Sequence, residues 1–207
     1  MIIGIVVGLL ILAGMVLFSV VLPEATDDGE SGEPASETVS LALPDTLPGG
    51  YSAADLESSF ADGELAEQAA AIAKQQADGT EYGNKVLPDV LGTEAVTRSY
   101  VVNGTEAVFV QVIDAPGGAF SPSSLTDPDT TNGAGGVTME NVGAGVCILT
   151  VGQLQQGQTE APTSSECQVT RDGITAQLSS DTIPAEDLMA LADDVFKAAV
   201  EPGADAP

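Results

Sequence analysis

The sequence predicts an α+β domain, an antiparallel meander of about six strands packed against an N-terminal and a C-terminal helix, preceded by one transmembrane helix. Three observations carry this prediction. Asn103-Gly104 and Asp172-Gly173 each sit between two runs rich in β-branched residues, the signature of a two-residue type I′ hairpin. Leu188, Leu191, Ala192, Val195, Phe196 and Ala199 recur at helical spacing near the C-terminus. Residues 1–22, MIIGIVVGLLILAGMVLFSVVL, carry no charge.

That uncharged run is long enough to cross a bilayer, since about twenty helical residues at 1.5 Å each span a hydrocarbon layer of roughly 30 Å. It lacks the cationic start, the short apolar run and the small-x-small cleavage site of a secretory signal, and no cysteine near Leu12-Ala13-Gly14-Met15 offers a lipidation site. Neither flank holds Lys or Arg, so orientation is read from the acidic side. Moving acids out of a negative-inside cell follows the field, at about 2.3 kcal/mol per charge per 100 mV. The expectation is a single-pass protein of the cell membrane with its N-terminus cytoplasmic and its C-terminal domain extracytoplasmic. Pro23 ends the helix, and PEATDDGESGEPASETVS offers little to bury, so residues 23–42 read as a disordered tether. The folded domain is expected over 43–200, with a disordered tail at 201–207.

Within the domain, Leu43 to Tyr51 interleaves turn residues with Leu and Tyr, as a loop packed on the start of the fold would. Ser52 to Ala77 is rich in Ala, Glu and Gln and places Leu65, Ala69, Ile72 and Ala73 on one stripe, predicting a helix with an interruption near Asp62-Gly63. Pairing outward from Asn103-Gly104 sets Val102 against Thr105, Tyr100 against Ala107 and Arg98 against Phe109. The second strand of that hairpin is apolar on both faces, Ala107, Phe109 and Ile113 on one and Val108, Val110 and Val112 on the other, and so belongs at the centre. Asp172-Gly173 sets Val169 against Ala176 and Cys167 against Leu178, turning Thr175, Gln177 and Ser179 outward. VTMENV and VCILTV supply two further strands around Gly143-Ala144-Gly145. Pro184 suits the first turn of the last helix, with Glu186 and Asp187 near its positive end.

Composition removes whole classes of chemistry. The formal charge is −26, with 31 acids against 5 bases, and Lys74, Lys85, Arg98, Arg171 and Lys197 stand singly. No clustered cations exist to displace counterions from nucleic acid, and anionic headgroups would repel the domain. There is no histidine, hence no His triad, imidazole zinc site or histidine pH switch. A Ser–Lys nucleophile has no motif around Lys74 or Lys85. No catalytic, cofactor-binding or metal-binding residue is therefore assigned.

The residues singled out are Cys147 and Cys167, the only cysteines. Their midpoint is Gly157, inside the polar stretch GQLQQGQTEAPTSS, so a roughly symmetric hairpin sets them face to face as a structural disulfide. The loop GGAFSPSSLTDPDTTNGAGG, residues 117–136, is the longest irregular stretch and the place a ligand would find mobile groups. An EF-hand wants oxygen ligands at its first, third and fifth positions, Gly at the sixth and Glu at the twelfth. From Asp127 those slots hold Asp127, Asp129, Thr131, Asn132 and Thr138, one step out of register and without the Glu. Asn103-Gly104-Thr105 matches a glycosylation acceptor but is accounted for by the turn, and the Gly-Gly pairs at 49, 117 and 135 are not placed between strand and helix as a phosphate cradle demands.

The Ala- and Asp-rich, Lys-poor composition and the ending DGITAQLSSDTIPAEDLMALADDVFKAA resemble membrane-anchored extracytoplasmic proteins of high-GC, actinobacterial-type bacteria. The resemblance spans about Asp172 to Ala199 and implies a strand–turn–helix ending, without an activity. The function expected from the sequence is a non-enzymatic interaction domain, bound to the lipid bilayer through its N-terminal helix and engaging an envelope protein or cell-wall ligand. The alternative is an extracytoplasmic sensor or small-ligand binder that uses the loop after Ile113.

Overall fold

A computed structural model describes residues 40–200 apart from 63, 119, 128, 130–134 and 153–162. The expected transmembrane helix, most of the tether and the C-terminal tail lie outside the described residues. Among the described residues no helix is long and apolar enough to cross a membrane.

The fold is α+β, but its single antiparallel sheet has eight strands rather than about six. In chain order these are β1 (Thr46–Leu47), β2 (Tyr51–Ala53), β3 (Ala95–Val102), β4 (Glu106–Ile113), β5 (Gly136–Val142), β6 (Gly145–Val151), β7 (Thr163–Arg171) and β8 (Ile174–Ser180). Two helices accompany them, α1 (Ala69–Leu91) and α2 (Ala185–Val200). The order across the sheet is β1-β2-β3-β4-β8-β7-β6-β5. A simple meander fails at one place. The chain leaving β4 runs through residues 114–135 to the far edge, starts β5 there, and returns by short turns until β8 closes against β4. A connection of that length has no need to make a hairpin, and β4, apolar on both faces, gains a neighbour on each side.

The Asp172-Gly173 hairpin forms in the expected register, with Val169 opposite Ala176 and Cys167 opposite Leu178, and Asp172 takes a φ of 49°. The Asn103 hairpin is one residue out: Val102 pairs with Glu106 and Tyr100 with Val108, which leaves a three-residue loop, Asn103-Gly104-Thr105. The shift puts the fully buried Tyr100 on one face with the fully buried Val108, Val110 and Val112, where the shorter loop would have matched it with half-buried Ala107. Asn103 and Gly104 keep the positive φ values of the expected turn, 56° and 68°, with Thr105 N bonded to Val102 O, and Thr105 is the extra residue that moves the pairing into the register core burial favours.

One face of the sheet is the main core. Tyr100, Val108, Val110, Val112, Ala176, Leu178, Val169 and the two cysteines lie on it beneath α2, whose Leu188, Leu191, Ala192, Val195, Phe196 and Ala199 are all buried as the spacing predicted. Ser180 fixes the turn that leads into that helix: its hydroxyl donates to Ala107 O and accepts from the amides of Thr182 and Ile183. Gly145 on β6 is a point of close approach. A Cβ there would lie 2.6 Å from the carbonyl oxygen of Gln168 and 2.6 Å from Met189 Cε of α2. Gly145→Ala is expected to destabilise the domain by about 2 kcal/mol, because a backbone carbonyl cannot step aside; an unchanged urea midpoint would refute this.

The N-terminal helix differs from its expected position. Residues 51–53 form β2, Glu57–Phe60 and Ala66–Gln68 form 3-10 turns, and the helix proper runs from Ala69 to Leu91, through Gly79, Gly83 and Pro88. Those three residues argue against a helix on propensity, and tertiary contact explains one of them. Gly83 is buried where α1 crosses β3, and a Cβ would stand 2.6 Å from Thr97 Cγ2. Beside it Asn84 Oδ1 accepts the Thr97 amide, and Ala54 N donates to Ser99 O, so the β3 edge below β2 is covered. Alternation along β3 puts Thr97 and Val101 on the face opposite Tyr100. There Val101, Ala54, Phe60 and Ala69 form a second, smaller core with Leu65, Ile72 and Ala107.

Contacts of the folded unit begin at Leu41, which is buried, and Ala42 N donates to Ala199 O at the end of α2. Residues 41–47 then form a strap that ends in β1 and whose Leu43, Pro44 and Asp45 are held by side chains of β3. Arg98 is largely buried, with its side chain 14% exposed, and donates to both carboxylate oxygens of Asp55, to Asp45 Oδ1 and to Leu43 O at 2.8–3.0 Å. Tyr100 Oη donates to Pro44 O at 2.8 Å. Burial pushes the Tyr100 phenol well above its ordinary value, against the opposing pull of Arg98, so it remains a donor.

Candidate functional site

The two cysteines lie directly opposite each other on β6 and β7, with Cα atoms 4.1 Å apart, joined as a disulfide. Both are fully buried, and Cys167 Sγ lies 3.9 Å from Ala185 O at the start of α2. A sulfur pair roofed by a helix is out of reach of an attacking thiolate, so its chemistry is that of a staple.

The loop after Ile113 is tied down at both ends. Thr175 Oγ1 donates to Ala115 O and Thr170 Oγ1 accepts from Gly117 N, fixing its start against β7 and β8. Farther on, Thr126 N donates to Val137 O, and Val137 N returns a bond to Thr126 Oγ1, fixing the loop against β5. Asp127 Oδ1 accepts the amide of Asp129, a local turn. Thr131 and Asn132 of the off-register calcium pattern lie outside the described residues, and among the described residues no group of acids is placed to hold a metal.

A second feature is the half of the sheet over which no helix lies; the loop after Ile113 covers one end of it, where Thr175 is buried and Gly117 lies against Thr170 and Gln168. Because α1 contacts β3, strands β4 and β8 to β5 present their second face without a helix above it. Across that face the pairing aligns Gln111, Gln177 and Gln168 in one row and Phe109, Ser179, Glu166, Ile148 and Met139 in the next. The glutamines are half-buried and Glu166 and Met139 are exposed. Amide groups at this density offer both donors and acceptors to a partner surface. Desolvation by its neighbours raises the Glu166 carboxyl above the ordinary glutamate range. A carboxyl raised on folding binds its proton more tightly in the native state, so stability falls as the pH climbs past the unfolded pKa and the loss is complete above the native one. Glu166→Gln is therefore expected to raise the melting temperature at pH 7 and to leave it unchanged below the pKa of an unfolded glutamate; a rise equal at both pH values would rule this out.

On the core side, a shallow open groove runs between α2 and the turn at Gly143-Ala144, lined also by Val142, Met189 and Arg171. Its cation is already engaged. Arg171 pairs with Asp193 and lies over the Phe196 ring, 5.0 Å from the centroid. Arg98, held by Asp55 and Asp45, is likewise committed. That cluster was invisible to sequence reading, since it gathers positions 43, 45, 55 and 98; the one signal was a cation inside a strand otherwise built for burial.

The sites define a disulfide-stapled sheet domain that presents amide, acid and scattered apolar groups on the half of its sheet that no helix covers. No family model, no curated protein and no solved structure matches this chain.

Proposed function

We propose that the chain is a membrane-tethered, extracytoplasmic interaction domain that engages another component of the envelope. The observation that carries this reading is the helix-free half of the sheet: away from the end that the loop after Ile113 covers, half-buried Gln111 and Gln177 and exposed Glu166 and Met139 are left to face a partner. The uncharged residues 1–22 and the acidic stretch after them support attachment to the bilayer on a tether. The buried disulfide supports an oxidising compartment, because such bonds form and persist outside the cytoplasm. The net charge of −26 keeps the domain off anionic lipid and favours a partner with cationic groups.

The test places one cysteine at Ser31, in the tether, and treats intact cells with a membrane-impermeant maleimide. The native pair is kept, being bonded and buried. Labelling without lysis is the expected result. Labelling only after lysis would overturn the location and with it the search for an envelope partner.

A further inference from the structure

We propose that the outer edge of β5 is the docking strand, and that it takes up an extended segment of a partner protein carrying a basic side chain opposite Glu140. The inference rests on the interaction reading above and deepens it by naming the surface and the chemistry of the partner.

β5 is the last strand of the sheet on one side. Val137 turns its amide and carbonyl outward, and both are taken by Thr126. In an antiparallel strand these groups alternate in direction, so Met139 and Asn141 also point theirs outward while Glu140 faces β6. Among the described residues nothing bonds Met139 or Asn141 on that side. Edges of this kind are normally blunted by a proline, a lysine, a bulge or a cover. β3 has its cover in Asn84 and Ala54; β5 has one only at Val137. Met139, Glu140 and Asn141 are all exposed, and Leu125, next to Thr126, is 62% exposed.

Charge selects the occupant. β5, β6 and β7 carry no Lys or Arg except Arg171 at the end of β7, which is paired with Asp193, and Glu140 projects from the middle of the open stretch with Asp127 and Asp129 on the neighbouring loop. A second copy of the chain is disfavoured in the one register that bonds both open residues of each strand. The register in which Met139 and Asn141 of one copy bond Asn141 and Met139 of the other sets Glu140 directly against Glu140, and like charges so placed repel. A basic residue in a foreign strand converts the same position into an attraction. The exposed Tyr82, Val90 and Leu91 of α1 offer apolar area but neither open backbone groups nor a charge that selects a partner.

The probe is a synthetic peptide of alternating valine and lysine, added to the full chain in detergent, with amide hydrogen exchange read residue by residue. The expected result is slowing of the Met139 and Asn141 amides by about tenfold, absent when glutamate replaces the lysines. Met139→Pro supplies the control: its amide faces outward, so the β5–β6 ladder survives and the melting temperature should hold while the protection disappears. Equal protection in Met139→Pro, protection confined to other strands, or none at all would overturn the edge assignment. Any of these together with external labelling at the tether would leave the tethered-domain reading standing. Labelling only after lysis would remove that reading whatever the peptide does.

Discussion

Arg98→Ala is expected to destabilise the domain by about 3 kcal/mol or more, the largest effect of any single polar substitution in this fold. The guanidinium and the Asp55 carboxylate are both mostly buried, at 14% and 13% side-chain exposure, and bond through two nitrogen–oxygen contacts. Removing the cation leaves Asp55 charged and poorly solvated, which costs more than the pair itself contributes. Desolvation pulls the Arg98 pKa down, but hydrogen bonds to Asp55 and Asp45 outweigh it and hold the group above its ordinary value. Urea unfolding of residues 40–207 measures the loss. The double variant Arg98→Met with Asp55→Leu should lose less than Arg98→Ala alone, since it removes the stranded charge. A single-variant loss below about 1 kcal/mol would place Arg98 among ordinary surface ion pairs.

Replacing both cysteines with alanine should lower stability by about 3 kcal/mol on the loop-entropy account for a closure of 20 residues. Two emptied positions at full burial, beneath the first turn of α2, add a packing loss in the same direction. In the native protein, dithiothreitol alone should leave the bond intact, and dithiothreitol with denaturant should break it. Rapid reduction under native conditions would show that the start of α2 opens readily and that the staple is not shielded.

What could be read beforehand follows from how local the determining forces are. The Asp172-Gly173 register, the strands around Gly143-Ala144 and the α2 stripe depend on neighbouring residues, and they stand as the sequence predicts. The cysteines were legible as a face-to-face pair because a symmetric hairpin fixes their relation. The Asn103 register was not, because its outcome depended on which partner gave Tyr100 a dry surface. The start of α1 was misplaced for a related reason: the Ser52–Phe60 segment pairs with β3 instead of coiling, while Gly83 is retained in the helix by the approach of Thr97. The joining of β4 to β8 and the Arg98 cluster depend on residues far apart in sequence, which no periodicity encodes. The open edge of β5 belongs to the same group, since a strand is an edge only by virtue of where its neighbours end.

The strap at residues 41–47 has a mechanical meaning. A pull applied to the backbone at Leu41 would meet, in order, the Ala42–Ala199 bond, the carbonyls of Leu43 and Pro44 held by Arg98 and Tyr100, and the Asp45 carboxylate. These attachments share the load before any of it reaches β2, so a modest pull would peel the strap while the disulfide-stapled sheet stays whole. The far side of that sheet, seven strand spacings of about 4.8 Å away, would keep its shape.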